Sequence, residues 1–188
     1  MKNLFPITLI SILFTSAASA QQPLDPSVEA PKIIAEAFAK LSAELTTAIA
    51  KDGPAKALTV CSVRAPQIAS EVGKDHKVTI RRATNQPRNP KNIATETEKN
   101  ALSTFAAALA EKNPPKPQII THSDDSRTFL APIVISNPLC LQCHGNPDND
   151  IANPTLDAIR KLYPDDKATG YQLGDLRGLW SITFPPQR

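Results

Sequence analysis

Beyond Met1 the chain has no methionine, and aromatic residues are scarce: six Phe, two Tyr and one Trp in 188 residues. A core so poor in aromatics leaves room for a large apolar cofactor, without requiring one. Charge of either sign is not in excess. The formal net charge of +3 is too weak to suggest nucleic acid as a partner. After residue 14 no apolar run is long enough to span a bilayer. With 41% hydrophobic and 21% charged residues, the chain is neither disordered nor a multi-span membrane protein. Its length suits one compact domain. Proline is the residue in surplus: 18 residues, roughly twice average usage.

The first twenty residues read as an address. Lys2 gives a positive start, Leu4 to Phe14 is mostly apolar, and Ala18-Ser19-Ala20 offers the small residues a signal peptidase requires. Cleavage after Ala20 leaves residues 21–188 as one exported domain in the periplasm. No cysteine stands at the cut, so no lipid anchor is expected. Export changes how the three cysteines, Cys61, Cys140 and Cys143, are read. An oxidising compartment pairs thiols, and an odd number leaves one over unless another chemistry consumes them.

The residue pattern predicts helices first. Ile34, Phe38, Leu41, Leu45 and Ala48 share one helical face behind Pro31, and Asp52-Gly53-Pro54 ends that helix. A second helix from Pro54 carries Leu58, Cys61, Ala65 and Ile68 on one stripe. Pro66 within that run kinks the helix or starts a new one, and Gly73 caps it. A strand over 77–82 follows, then a proline-punctuated loop over 84–92. A third helix from about Thr95 to Lys112 comes next. Gln118 to Thr121 and Thr128 to Ile135 form a hairpin. A short helix over 154–162 and a last strand over 176–184 complete an α+β chain without βαβ alternation. Glycines from Gly170 to Gly178 read as tight turns, because no Lys-Ser/Thr follows them as a phosphate cradle demands.

The chemistry concentrates at Cys140-Leu141-Gln142-Cys143-His144. This is C-x-x-C-H, the attachment motif of c-type haem. Two thiols separated by two residues reach the two vinyl groups of haem, and the next imidazole meets the iron from the same side. The motif implies one covalent haem c and the c-type maturation machinery as a partner. Other readings fit less well. A thioredoxin-like pair opens a helix, whereas loop-forming Gly145 to Asp150 follows here. A Cys₃His zinc site would need Cys61 and lacks a second C-x-x-C. A disulfide across two residues would be strained and leaves His144 unexplained.

With methionine confined to Met1, His/Met ligation is excluded. The residues leave Cys61, His76, His122, a lysine or an open site for the second face of the iron. His76 lies beside Asp75 in a charged loop and His122 beside a polar turn, both ordinary surface settings. Cys61 on an apolar helix face could equally be an inert buried thiol.

Several stretches together resemble a family of exported c-haem proteins with a PAS-like fold, found alone or as the sensing part of membrane-bound kinases. They are Val60 to Pro66, Arg81 to Pro90, Cys140 to Gly145, Tyr163 to Tyr171 and Gly174 to Ser181, in order along the chain. The resemblance implies His144 as one axial ligand and Cys61 as the other, on N-terminal helices packed against a PAS-like antiparallel sheet. Trp180 is bulkier than the resemblance leads one to expect.

Arg81, Arg82, Arg88 and Lys91 form a basic stretch that either pairs with haem propionates or is a solvated loop. The expected role is a low-potential redox carrier. The alternative is a haem-based redox or gas sensor; no kinase segment follows Arg188, so it would signal through a separate protein. A peroxidase is a weaker third reading, because nothing marks a distal acid–base pair.

Overall fold

The computed structural model describes residues 24–186, so the leader over residues 1–20 lies outside the described residues. Helix α1 (Pro26–Thr59) starts on the Asp25 side chain, which accepts from the Ser27 backbone N–H at 2.9 Å, with Pro26 as its first residue. The break expected at Gly53 is present as a kink: Gly53 has φ 79° and ψ 168°, and helix resumes at once. Only glycine takes that φ without strain.

Residues Val60–Arg64 then form one π-helical turn before α2 (Ala65–Asp75). Pro66 was expected to kink the helix or to start a new one, and the second holds: α2 begins at Ala65 with Pro66 in its first turn, and the helix widens ahead of the proline. Pro66 has no N–H for the Ser62 carbonyl, and the Ala65 N–H bonds Val60 O, five residues back. The expected cap at Gly73 is also corrected. Gly73 lies inside α2, which ends at His76. A Cβ there would sit 2.7 Å from Val78 O, so the glycine serves close approach of β1 rather than capping.

β1 (Thr79–Ala83), β2 (Gln118–Thr121), β3 (Arg127–Val134) and β4 (Leu176–Phe184) form one antiparallel sheet in the order β1-β4-β3-β2. The expected hairpin is β2–β3. Helix α3 (Glu96–Ala110) begins with a capping box in which Thr95 and Glu98 satisfy each other's backbone N–H. The chain is α+β, as expected.

Alternation along β4 builds both layers. Trp180, Ile182 and Phe184 face Ala30, Ile33 and Ala37 of α1 and Ile68 and Val72 of α2. Leu179, with Leu130 and Ala83, faces Ala101, Leu102 and Phe105 of α3. Trp180 is thus accommodated in the larger core. α4 (Pro138–His144) and α5 (Asn153–Leu162) lie at the end of the molecule where two small apolar clusters gather. Among the described residues no helix is long and apolar enough to cross a membrane.

Candidate functional site

The C-x-x-C-H residues occupy the single short helix α4, which the sequence left as an unassigned stretch. Asn137 caps it by accepting from the Leu139 N–H at 2.8 Å, and Pro138 starts it. Gly145 ends it. A Cβ at Gly145 would lie 2.6 Å from Asp150 and 2.7 Å from Leu141 O, so only glycine fits where the chain turns out of the motif. Cys143 packs beside Leu58, Ile151, Leu156 and Ile159, and Cys140 beside Ile135, Ala168 and Tyr171. The two thiols therefore belong to different apolar clusters, with His144 following.

The orientation of His144 is fixed by its surroundings. Nδ1 lies 2.7 Å from Ala168 O. A carbonyl only accepts, so Nδ1 carries the proton and Nε2 presents a bare lone pair. Burial, reinforced by the nearby Arg177 and Arg88 charges, holds the imidazole pKa well below its ordinary value, so the ring is neutral. Backbone bonds from Gly170 N to Gly145 O (2.8 Å) and Tyr171 N to His144 O (2.9 Å) lay the 168–171 segment along this end of α4. The Tyr171 ring meets the imidazole edge-on, with centroids 6.3 Å apart.

Arg88 ties the arrangement together. Its Nε and Nη2 each donate to Asp166 at 3.0 Å, and Nη2 also reaches Cys143 O at 2.7 Å and Ala168 O at 3.3 Å. Both partners are buried. The loop after β1 is thereby bound to α4 and to the carbonyl that orients His144.

The structure brings Cys61 to the same place. It sits on the π-helical turn, close enough to Cys143 to raise that thiol's pKa. Wide turns of this kind are frequent at functional sites. Burial pushes the Cys61 thiol up, opposed by the charges of Arg82, Arg88 and Arg177. Burial pushes Cys143 to about 11. That is the reverse of the lowered thiol pKa that a thioredoxin-type pair requires. Yet Cys61, Cys143 and His144 all keep part of their surface open. Among the described residues, no three His, Cys, Asp or Glu side chains converge closely enough to hold a bare metal ion.

His76 and His122 are elsewhere. His76 Nε2 contacts Glu36 Oε2 at 2.8 Å, and His122 Nε2 contacts Thr128 Oγ1 at 2.8 Å. His122 lines an open groove of about 510 Å³ with Arg81 and Glu98. A second groove, of about 660 Å³, runs along α2. Neither includes a cysteine or His144, so the site is assigned by its chemistry rather than by cavity size.

The basic stretch divides. Arg81 pairs with the buried Glu98 at 3.2 Å, Arg88 with Asp166, and Lys91 is exposed. Arg82 lies over the Trp180 ring at 6.0 Å and has no hydrogen-bond or carboxylate partner among the described residues. Sequence reasoning missed Arg177, which lies over Tyr171 at 5.4 Å. Its Nε is buried without any hydrogen-bond partner. Only its position at the start of the last strand, after a run of turn glycines, could have marked it.

Together these groups fit a cofactor that takes two thioethers, one imidazole nitrogen and anionic contacts. Nε2 of His144, the Cys61 sulfur, the Arg82 guanidinium and Nε of Arg177 have no hydrogen-bond partner among the described residues. A profile of the Tll0287-like family matches residues 11–185. No curated protein sequence matches the chain. The fold is similar to the crystal structure of the cyanobacterial heme-protein Tll0287, with TM-score 0.64 and 23% identity, over 88% of this chain and 99% of that one. The chain belongs to the Tll0287-like family.

Proposed function

We propose that the chain is an exported, periplasmic monohaem c-type protein that carries electrons at low potential. Cys140 and Cys143 hold the haem as thioethers, and His144 Nε2 and Cys61 are its axial ligands. The observation that carries this reading is the His144 Nδ1–H···O=C bond to Ala168, at 2.7 Å, directly after C-x-x-C. An imidazole held in that tautomer is prepared for ligation through Nε2. The similar fold of a protein described as a cyanobacterial heme-protein supports it. The bound group would supply a one-electron iron couple. The chain's own residues hold the imidazole neutral and oriented, pack Cys140 and Cys143 against apolar clusters, and place a third sulfur on a widened helical turn. No side chain is assigned a catalytic role.

A second reading, a redox or gas sensor acting through a partner protein, is favoured by the position of Cys61. It sits on a π-helical turn between the Gly53 kink and Pro66, where the helix has two points of give. Absorption spectra of oxidised and reduced protein, with and without carbon monoxide, separate the two. A six-coordinate spectrum indifferent to the gas supports the carrier. A gas-induced shift supports the sensor. Absence of any haem band rejects both.

A further inference from the structure

Arg177 is the feature that the haem ligands leave unused. Its Nη1 is committed, donating to Thr84 Oγ1 and Gln86 O at 3.3 Å each. Its Nε is buried with no partner, and its Nη2 makes no hydrogen bond among the described residues. The free edge of the guanidinium is therefore Nε together with Nη2, the fork that receives a carboxylate side-on through two parallel bonds. Arg88 uses that same edge on Asp166 in this molecule, Nε to Oδ1 and Nη2 to Oδ2.

The position of Arg177 is built, not incidental. Thr84 Oγ1 also donates to Arg177 O at 2.9 Å. Gly178 lets β4 approach β1, because a Cβ there would lie 2.5 Å from Ala83 O. The Tyr171 ring supports the guanidinium, and that ring is also the edge-on neighbour of His144. Desolvating a guanidinium without a counter-charge costs free energy. Arg82 repeats the problem beside Cys61, and the one acid here, Asp166, belongs to Arg88.

We infer that the Nε–Nη2 edge of Arg177 receives a haem propionate side-on, with Arg82 as the second cation of the same anionic end. This rests on the haem assignment above. It also selects among the basic residues: Arg81 and Arg88, whose carboxylate partners are within the protein, take no part.

Resonance Raman spectra of haem-loaded protein test it through the propionate bending band. Arg177→Gln and Arg177→Lys are compared with the parent and with Arg81→Gln as control. Lysine keeps the charge but loses the fork, and guards against a glutamine variant that fails to fold. The band is expected to shift down in both Arg177 variants and to stay in place in Arg81→Gln, with spin-state marker bands unchanged throughout. An unshifted propionate band in haem-loaded Arg177 variants overturns the inference while leaving the haem assignment standing. A parent protein without haem would defeat the assignment itself. A purely structural arginine would lower stability and leave the band alone.

Discussion

Replacing Arg88 by Ala removes the one side chain that links the loop after β1, α4 and the 166–168 segment. The cost follows from what stays behind. Arg88 and Asp166 side chains are 6% and 9% exposed, so the bond is little screened by solvent. Truncation leaves the Asp166 carboxylate buried with only the Ala168 N–H, at 3.1 Å, as donor. It also strips the Cys143 carbonyl of a 2.7 Å bond. An uncompensated buried charge of this kind costs about 3–5 kcal/mol. A whole domain is stable by about 5–15 kcal/mol, so this is a large share of the total. Asp166→Ala strands the guanidinium instead and is costly for the same reason. The double variant Arg88→Ala/Asp166→Ala should lose less than the sum, with a coupling of roughly 2 kcal/mol or more. Urea unfolding of haem-loaded protein, followed by far-ultraviolet circular dichroism, measures each corner of the cycle. A loss below about 1 kcal/mol for Arg88→Ala, at unchanged slope, would show that the pair is worth no more than a surface ion pair.

Three further outcomes follow from particular residues. Gly145→Ala should destabilise by about 1–3 kcal/mol, because Asp150 and a backbone carbonyl stand where the Cβ must go; thermal unfolding of the variant measures this. Cys61→Ala should raise the reduction potential and give a high-spin ferric spectrum that added imidazole converts to low spin, since a thiolate favours ferric iron. An unchanged spectrum with Cys61→Ala, together with an altered one in His122→Ala, would transfer the ligand role to histidine. The Asp25 carboxylate, held below 3.8 by its bonds to Ser27, stabilises the start of α1 while ionised; that contribution is present above its unfolded-state pKa and lost as pH falls through its folded value. Carboxyl chemical shifts recorded down an acid titration should therefore show Asp25 titrating below the ordinary range.

Much of the fold was legible because it rests on local rules. The apolar face of Leu102, Phe105, Ala106 and Leu109 behind the proline-punctuated loop placed α3, and the last strand was placed over 176–184, the bounds of β4. The covalent motif was legible because its spacing is chemical and needs no tertiary context. What escaped depends on contacts distant in sequence. The π-helical turn at Cys61 lies just ahead of Pro66, where the pattern offered only a kink or a new helix. Gly73 looked like a cap, but its smallness serves β1. Arg88 and Arg81 looked like equal members of one basic stretch until Asp166, 78 residues on, and Glu98 were brought to them. Arg177 carries no local signal beyond its place at the start of the last strand, after the turn glycines. Its meaning comes from the partner it lacks.

Everything proposed for the site depends on covalent attachment of haem through Cys140 and Cys143. The most direct test is the intact mass of protein exported from cells that carry c-type maturation machinery, compared with Cys140→Ala/Cys143→Ala. The expected masses are residues 21–188 plus one haem for the parent, retained under denaturing conditions, and no covalent adduct for the double variant. A parent mass equal to the bare chain, or an adduct that survives loss of both cysteines, would contradict it.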